Sequence, residues 1–152
     1  MPKKSMSYLK GNLIHVNEGI IVHGCNAQGV MGAGVALTIK KKYPECYKTY
    51  EEHVFNNQDL LGTIAWHRVN EKLLIANAIT QEFVGTHQRQ VDYEAVAKCF
   101  EQVYAVAIKE GCQVFFPKIG AGLGGGNWNV LSTIIENVLG SDKVYKYCVE
   151  LP

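Results

Sequence analysis

Two glycine-rich stretches decide the fold of this chain: residues 118–126 read KIGAGLGGG, and residues 23–34 read HGCNAQGVMGAG. Together they hold nine of the 15 glycines in 152 residues. Each follows a short apolar run typical of a strand and precedes a run typical of a helix, where backbone N–H groups and a helix N-terminus can converge on an anion. Glycine suits such loops because it tolerates positive φ and leaves the amides open to a ligand. Two such loops in one chain predict a site for two linked phosphates.

The second stretch also contains the pattern GxGxxG at residues 120–125, which is a fingerprint of dinucleotide-binding folds. Glu150 even lies at the end of the next predicted strand, where an acid that binds ribose would belong. However, only 27 residues follow Gly125, which leaves no room for a second βαβ unit. The fingerprint also normally follows the first strand of the fold. A dinucleotide-binding fold is therefore disfavoured.

The remaining sequence alternates between strand-like and helix-like patterns. Apolar residues in 93–109 recur at the i, i+3, i+4, i+7 spacing of an amphipathic helix, and Asn70-Glu71 predicts a hairpin turn. The alternation predicts an α/β protein with helices on both faces of a sheet, and the hairpin makes that sheet mixed. The predicted strands are 6–10, 20–22, 63–69, 72–78, 114–119 and 143–151, and the predicted helices are 35–43, 45–53, 93–109 and 129–139.

Composition excludes several classes of protein. The net charge is +1, whereas a dedicated DNA-binding protein carries a clustered basic excess. No apolar run is long enough for a membrane span, and the N-terminus lacks the apolar core of a signal peptide. The five cysteines form no C-x-x-C pair, so no zinc or thioredoxin motif is present. We expect one cytoplasmic domain over residues 1–152, without metal or cofactor, and nothing indicates its oligomeric state.

Three motifs, in order, resemble those of the macrodomains, a family that binds ADP-ribose. They are KGNL at residues 10–13, IVHGCN at 21–26 followed by GAGVA at 32–36, and PKIGAGL at 117–123 with Trp128 behind it. The resemblance covers most of the chain from Tyr8 onward. It is strongest to the short branch that contains ADP-ribose-1''-phosphate phosphatases and terminal ADP-ribose glycohydrolases, with members in bacteria and bacteriophages. It implies a three-layer α/β/α sandwich around a central mixed sheet.

The resemblance also implies where a ligand lies. Adenine would sit near Asn12 and the closing strand, the diphosphate between residues 32–35 and 120–123, and the distal ribose near Asn26 and Gly29. No metal or cofactor is implied; the partner is ADP-ribose or a derivative. The implied ligand-binding residues are Asn12, Leu13, Gly24, Asn26, Gly29, Met31, Gly32, Ala33, Gly34, Val35, Ile119, Gly120, Ala121, Gly122, Leu123 and Gly124.

The sequence departs from the family's pattern at groups that carry chemistry. Asn12 stands where the family has an acid that accepts a hydrogen bond from the adenine amino group, and Asn127 stands where many bacterial relatives have an acid. The glycohydrolases of this branch use a lysine nucleophile, and the matching position here is Gln81. Their catalytic acid corresponds to Gly124. A covalent route for deglycosylation therefore lacks both of its groups.

The residues left to catalyse hydrolysis are His23, Asp92 and Asn26. His23 is the first candidate for a general acid or base, although it could equally bond to the backbone at a strand end. Asp92 is the second, although it fits the N-cap of a helix; His87 and Tyr93 are weaker candidates, and Asn26 could orient a water. We expect hydrolysis of ADP-ribose-1''-phosphate to ADP-ribose and phosphate. The alternatives are a non-catalytic ADP-ribose reader and removal of ADP-ribose from a macromolecule without a catalytic lysine.

Overall fold

The computed structural model describes residues 6–84, 90–122, 124–140 and 143–152. In this part of the chain, a six-stranded sheet has the strand order β1-β6-β5-β2-β4-β3. Four α-helices and one 3₁₀ turn, Leu13–His15, complete the described elements. The strands are β1 (Ser7–Lys10), β2 (Gly19–Asn26), β3 (Ile64–Arg68), β4 (Leu73–Gln81), β5 (Val114–Phe116) and β6 (Lys146–Glu150), and the helices are α1 (Gly34–Lys42), α2 (Pro44–Asn56), α3 (Tyr93–Glu110) and α4 (Trp128–Val138).

The sheet is mixed, as the predicted hairpin requires. Strands β3 and β4 pair antiparallel, with Trp66 opposite Ala76, and every other pair of neighbouring described strands is parallel. The Asn70 side chain closes the hairpin by accepting from the Lys72 and Leu73 amides at 2.8 and 3.0 Å. Because β1, β2, β4, β5 and β6 run in one direction, their carboxyl ends meet at one edge of the sheet, where ligands bind in such folds.

Helices cover both faces of the sheet and make three layers. Ile20 and Val22 of β2 pack into one apolar cluster with α3 and α4, whereas Ile21 packs on the other face with Ile39 of α1. This alternation follows from the two-residue repeat of a strand. Each large apolar side chain buried in this way contributes about 1.5–3 kcal/mol. The structure confirms the predicted α/β sandwich with a mixed sheet.

Local signals set the ends of the helices. Pro44 is the first residue of α2 and separates it from α1. The Asp92 carboxylate accepts from the Ala95 amide at 2.9 Å and caps α3, which ends at Gly111 in the left-handed conformation, with φ 65°. None of the helices in the described ranges is apolar enough over a sufficient length to cross a membrane.

Strand β2 is longer and β5 shorter than the sequence predicted. Strand β2 runs from Gly19 to Asn26 rather than over residues 20–22, because its glycines and its polar residue His23 weaken the apolar pattern although the strand is buried. Strand β5 ends at Phe116 rather than at residue 119, because Pro117 has no N–H for a ladder. The 3₁₀ turn was not predicted at all; the Asn12 side chain caps it.

Candidate functional site

A cavity of about 300 Å³ opens at the carboxyl ends of β2, β4 and β5, where the two glycine-rich stretches face each other. It brings together nine of the predicted site residues, which are His23, Gly24, Ala33, Gly34, Val35, Ile119, Gly120, Gly122 and Gly124. Its other lining residues are Ala36, Thr80, Gln81, Pro117 and Lys118. We call this the first cavity.

The N-terminus of α1 forms one side of the first cavity. Ala33 is its N-cap, with extended backbone (φ −152°, ψ 161°) and no side-chain hydrogen bond to the helix. The Leu37 amide donates to the Ala33 carbonyl at 3.3 Å as the helix begins. The amides of the first turn and the positive end of the helix dipole therefore stand at the cavity, which is an arrangement that favours an anion.

The second glycine-rich loop forms the opposite side. Gly120 has φ +77°, and a Cβ built on it would lie 2.5 Å from Val91 Cγ2, so both backbone and packing require glycine there. The Gly124 carbonyl accepts from the Gln90 and Val91 amides at 2.7 and 3.1 Å, which ties the loop to the entry of α3. By contrast, a Cβ at Gly122 would meet no atom within 4 Å. Gly122 therefore leaves space that a ligand can occupy.

A buried polar network surrounds the imidazole of His23, which is 1% exposed. Its Nε2 lies 2.5 Å from Asn77 Oδ1. The Asn77 amide is oriented by its Nδ2, which donates to the Ala65 carbonyl at 3.0 Å, so Oδ1 accepts and His23 Nε2 carries the proton. The Cys25 and Cys46 thiols complete the network. Burial lowers the pKa of His23 to about 4, the Asn77 hydrogen bond opposing it in part, so the ring is neutral at pH 7.

Asn26 organises the loop that follows β2. Its Oδ1 accepts from the Gln28 amide at 2.9 Å, and its Nδ2 donates to the Val30 carbonyl at 2.8 Å. The buried Tyr50 hydroxyl of α2 donates to the Asn26 carbonyl at 2.7 Å and accepts from the Gly29 amide at 3.1 Å. Sequence reasoning missed Tyr50, because a tyrosine at helical spacing resembles an ordinary core residue.

Gln81 lies at the β4 side of the first cavity, whereas Asp92 is outside the cavity's described lining and contacts it only through Thr80. The Asp92 amide donates to the carbonyl of Thr80, a lining residue, at 2.7 Å, and its carboxylate is half-buried while it caps α3. Gln81 lines the cavity itself, and its Nε2 donates to the Phe83 carbonyl at 2.7 Å. The position of the expected lysine nucleophile therefore holds a side chain that cannot attack carbon.

A second cavity, of about 370 Å³, extends from the carboxyl end of β1 to Glu18 and Gln113, which precede β2 and β5. Leu9, Phe115 and Val149 give it an apolar floor, and Asn12 stands among its polar residues. Asn12 Oδ1 accepts from the Ile14 amide at 3.2 Å. The lining of this cavity is therefore partly apolar and partly polar.

An ion-paired triad stands between the two cavities. Glu150, the last residue of β6, places Oε1 2.9 Å from Lys118 Nζ and Oε2 3.1 Å from Lys10 Nζ. Hydrogen bonds from Lys118 and Lys10 lower the pKa of Glu150, and the bond to Glu150 raises the pKa of Lys118. The sequence singled out Glu150 only as part of the disfavoured dinucleotide pattern and gave no signal for its lysine partners.

Several predicted site residues lie elsewhere. Leu13 and Met31 are core residues, 5% and 1% exposed, and Gly29, Gly32 and Ala121 are outside the linings of both cavities in the described chain. Leu123 and His87 lie outside the described residues. Within those residues, no group of three histidine, cysteine or acidic side chains is placed to hold a metal ion.

A family model, the sequence of a named relative and two solved structures each match most of this chain. Residues 22–135 match the family model described as Macro domain. A protein of Candida albicans named ADP-ribose 1''-phosphate phosphatase is 30% identical over 143 residues, which cover 86% of this chain and 92% of that protein. A structure of a protein of unknown function from Bacteroides thetaiotaomicron is 28% identical, with a TM-score of 0.89 over 97% of this chain and 98% of that one. A macrodomain protein of Streptomyces coelicolor is 25% identical, with a TM-score of 0.82 over 97% and 100%.

Proposed function

The chain belongs to the Macro domain family, and from this premise we propose that it binds ADP-ribose and hydrolyses ADP-ribose 1''-phosphate to ADP-ribose and inorganic phosphate. The observation that carries the proposal is the first cavity, where an uncapped helix N-terminus faces a glycine loop. A relative that shares 30% identity over most of both chains is named for this activity. We further propose that the chain acts as one cytoplasmic domain, since its five cysteines are free thiols, as in a reducing compartment.

Neutral donors hold the diphosphate in this proposal. The amides at the start of α1 bind from one side, and the loop around Gly122 closes from the other. His23 is neutral, so Lys118 is the one charged side chain in the described lining, and its ammonium is paired with Glu150. Binding therefore relies on oriented backbone dipoles more than on free cations, and we expect its affinity to depend only modestly on salt.

Hydrolysis requires a water to attack phosphorus while the bond between phosphorus and the ribose 1''-oxygen breaks. The proton of the water goes to a base, and the leaving oxygen gains a proton to become the 1''-hydroxyl of ADP-ribose. Of the three predicted catalytic residues, Asp92 is the one that is not buried, and although it is outside the described lining of the first cavity, its amide bonds to the lining residue Thr80. We assign the base to Asp92, and we assign His23 and Asn26 positioning roles beneath and beside the cavity, because both are held by hydrogen bonds within the fold.

A phosphorus NMR time course tests the proposed activity. With ADP-ribose 1''-phosphate as substrate, the monoester signal should decline while the signal of inorganic phosphate grows. Shifted diphosphate signals with an unchanged monoester would instead identify a reader that binds without turnover. Unperturbed spectra would contradict binding itself.

The matched pair Asp92→Asn and Asp92→Ala separates catalysis from helix capping. Asparagine caps helices as well as aspartate does, so Asp92→Asn should keep its stability yet lose about 100-fold or more in phosphate release, the range of a general base. Asp92→Ala should lose as much phosphate release as Asp92→Asn, and its free energy of unfolding should also fall by about 1 kcal/mol. Full activity in the asparagine variant would remove Asp92 from the mechanism, and full activity in His23→Ala combined with Asp92→Ala would leave neither residue a role in hydrolysis.

The second candidate function is a binding module for ADP-ribose. It is favoured by Gln81, which lines the first cavity where a lysine nucleophile is expected, and by Gly124, which replaces the expected acid. Tight binding of ADP-ribose with no product from the 1''-phosphate would establish this module. Removal of ADP-ribose from a macromolecule would then be tested with mono-ADP-ribosylated protein and DNA, both of which a pure reader leaves intact.

A further inference from the structure

Two tyrosines of α2 hold the segment that leads from β2 to α1. Tyr47 and Tyr50 are three residues apart on α2 and therefore lie on one face of the helix. The Tyr47 hydroxyl donates to the Gly29 carbonyl at 3.1 Å, and the Tyr50 hydroxyl accepts from the Gly29 amide, also at 3.1 Å. Both polar groups of the Gly29 backbone are therefore bound by α2. We call this pair, Tyr47 and Tyr50, the tyrosine clamp.

The Tyr50 hydroxyl also fixes the end of β2. It donates to the Asn26 carbonyl at 2.7 Å and lies 2.9 Å from Asn26 Oδ1, and its side chain is fully buried. Burial raises the pKa of this hydroxyl, so it keeps its proton and remains a donor at neutral pH. Without the hydroxyl, the Asn26 carbonyl and the Gly29 amide would both lose a buried partner, which is costly.

Residues 29–32 are held by hydrogen bonds from two places. Among the described residues, these are the tyrosine clamp and the side chain of Asn26, which accepts from the Val30 amide at 3.4 Å and donates to the Val30 carbonyl at 2.8 Å. Because the Tyr50 hydroxyl contacts Asn26 as well as Gly29, it acts on both attachments. The conformation of residues 29–32 therefore depends on this one hydroxyl.

The tyrosine clamp also reaches α1, whose first amides stand at the first cavity. Residues 29–32 lead directly to Ala33, the N-cap of α1, and the Lys40 ammonium of α1 lies 4.0 Å from the centroid of the Tyr47 ring, in cation–π contact. Helix α1 is thus tied to α2 just before its start and again in its second half. A site built from backbone amides needs those amides in place before the ligand arrives, because ordering a mobile loop on binding costs affinity.

We propose that Tyr50, assisted by Tyr47, is a positioning residue for ligand binding: its hydroxyl fixes residues 29–32 in the conformation in which the first amides of α1 hold the diphosphate. The inference rests on the proposed function, which supplies ADP-ribose as the ligand. Both tyrosines are outside the described linings of the two cavities, so they act through the loop rather than by contact with the ligand. Loss of the Tyr50 hydroxyl should therefore weaken binding without removing any group that touches ADP-ribose.

Calorimetric titration with ADP-ribose tests this role, at a temperature where circular dichroism shows each variant to be fully folded. Tyr50→Phe should bind about 10-fold more weakly than wild type and Tyr47→Phe about 3-fold more weakly, which is the range of a single hydrogen bond. The control is Val103→Ala, which removes methyl groups from the buried face of α3. It should lower the urea midpoint yet bind ADP-ribose like wild type, because a residue that serves stability alone does not alter the affinity of folded molecules.

Amide hydrogen exchange gives a second readout without ligand. The Gly29 amide should exchange about 10-fold faster in Tyr50→Phe than in both wild type and Val103→Ala, because local opening of the loop then no longer breaks its bond to the tyrosine. Added ADP-ribose should slow this exchange in Tyr50→Phe, since the ligand orders the loop. Equal exchange of the Gly29 amide in Tyr50→Phe and Val103→Ala would overturn the role of the tyrosine clamp.

The titrations separate this inference from the proposed function. If the wild-type protein binds ADP-ribose and Tyr50→Phe binds it equally well, the role of the tyrosine clamp is overturned while the function stands. The same holds if Val103→Ala weakens binding as much as Tyr50→Phe does. If the wild-type protein does not bind ADP-ribose, both are overturned. Should Tyr50→Phe fail to fold, Tyr47→Phe decides, because wild-type affinity in that variant would overturn the role of the clamp.

Discussion

The glycines at the first cavity differ in whether the fold tolerates a side chain in their place. Gly120 combines positive φ with a close approach to Val91, and a Cβ at Gly24 would lie 2.9 Å from Thr80 Oγ1. Both glycines are required by the fold. Gly122 has open space around its Cβ position and is absent from the glycines with positive φ. It therefore offers a substitution that acts on the ligand rather than on folding.

Gly122→Glu should fold normally and lose ligand binding. A carboxylate close to the diphosphate repels it by about 4 kcal/mol at a partly exposed site, which corresponds to a loss of affinity of more than about 100-fold. Gly122→Ala, which adds only a methyl group in open space, is the control and should bind within about 3-fold of wild type. Calorimetric titration with ADP-ribose measures both variants. A folded glutamate variant that binds like wild type would show that the ligand lies elsewhere.

His23 should make stability depend on pH. Its pKa is about 4 in the folded protein against an ordinary value of 6.5, so the unfolded chain takes up a proton first as the pH falls. The free energy of unfolding therefore has its full value above about pH 6.5 and falls by on the order of 3 kcal/mol as the pH decreases towards 4. Urea unfolding at several pH values measures this loss. His23→Gln, which cannot titrate but can still donate to Asn77, should lose less stability over that range; an unchanged slope would exclude His23 as the cause.

At the scale of elements, α1 and α3 use their N-termini differently. The Asp92 side chain caps α3, whereas Ala33 leaves the start of α1 without a side-chain cap. An uncapped helix end gives up stability and keeps its amides for an anion. The missing side-chain cap therefore makes α1 less stable and leaves its first amides available to a ligand, and such a loss of stability is common at functional sites.

Ala33→Asp should stabilise the protein and weaken its binding of ADP-ribose. The extended backbone of Ala33 suits an N-cap, so the new carboxylate should stabilise the protein by about 1 kcal/mol. The same carboxylate would occupy the amides that bind phosphate, and the affinity for ADP-ribose should fall by about 10-fold or more, since capping groups and ligand compete for the same donors. Thermal unfolding and titration measure the two effects. Ala33→Asn, a neutral cap, should stabilise similarly but weaken binding less; undiminished binding in the aspartate variant would mean that α1 does not hold the anion.

At the scale of the whole molecule, the two faces of the single sheet are covered by different apolar clusters. The largest apolar cluster joins β2, β4, β5 and β6 to α3 and α4, and two smaller clusters lie beneath α1 and α2. Because β2 contributes to clusters on both faces, the layers share one set of buried strands. Such a core should unfold as one unit.

The two tryptophans, at opposite edges of the sheet, can test this cooperativity. Trp66 is on β3, and Trp128 at the start of α4 donates from Nε1 to the Tyr8 hydroxyl of β1 at 3.0 Å. In Trp66→Phe and Trp128→Phe, the remaining tryptophan should report the same urea midpoint as circular dichroism does for that variant, with an unfolding free energy of about 5–15 kcal/mol. Separate midpoints for fluorescence and circular dichroism within one variant would indicate two independently unfolding parts.

The sequence alone determined the elements and the kind of site. Periodic apolar residues, Pro44, Asp92 and Gly111 are local signals, so the helices, the hairpin and the two glycine loops followed from short stretches read separately. The tertiary structure decided which of these stretches meet. Gly24, Thr80 and Ile119 come from three segments, and only strand order brings them around one cavity. The burial that lowers the pKa of His23 and the ion pairs that place Glu150 between two cavities depend on distances across the sheet. Such distances arise from packing between segments far apart in the chain, and no local pattern encodes them.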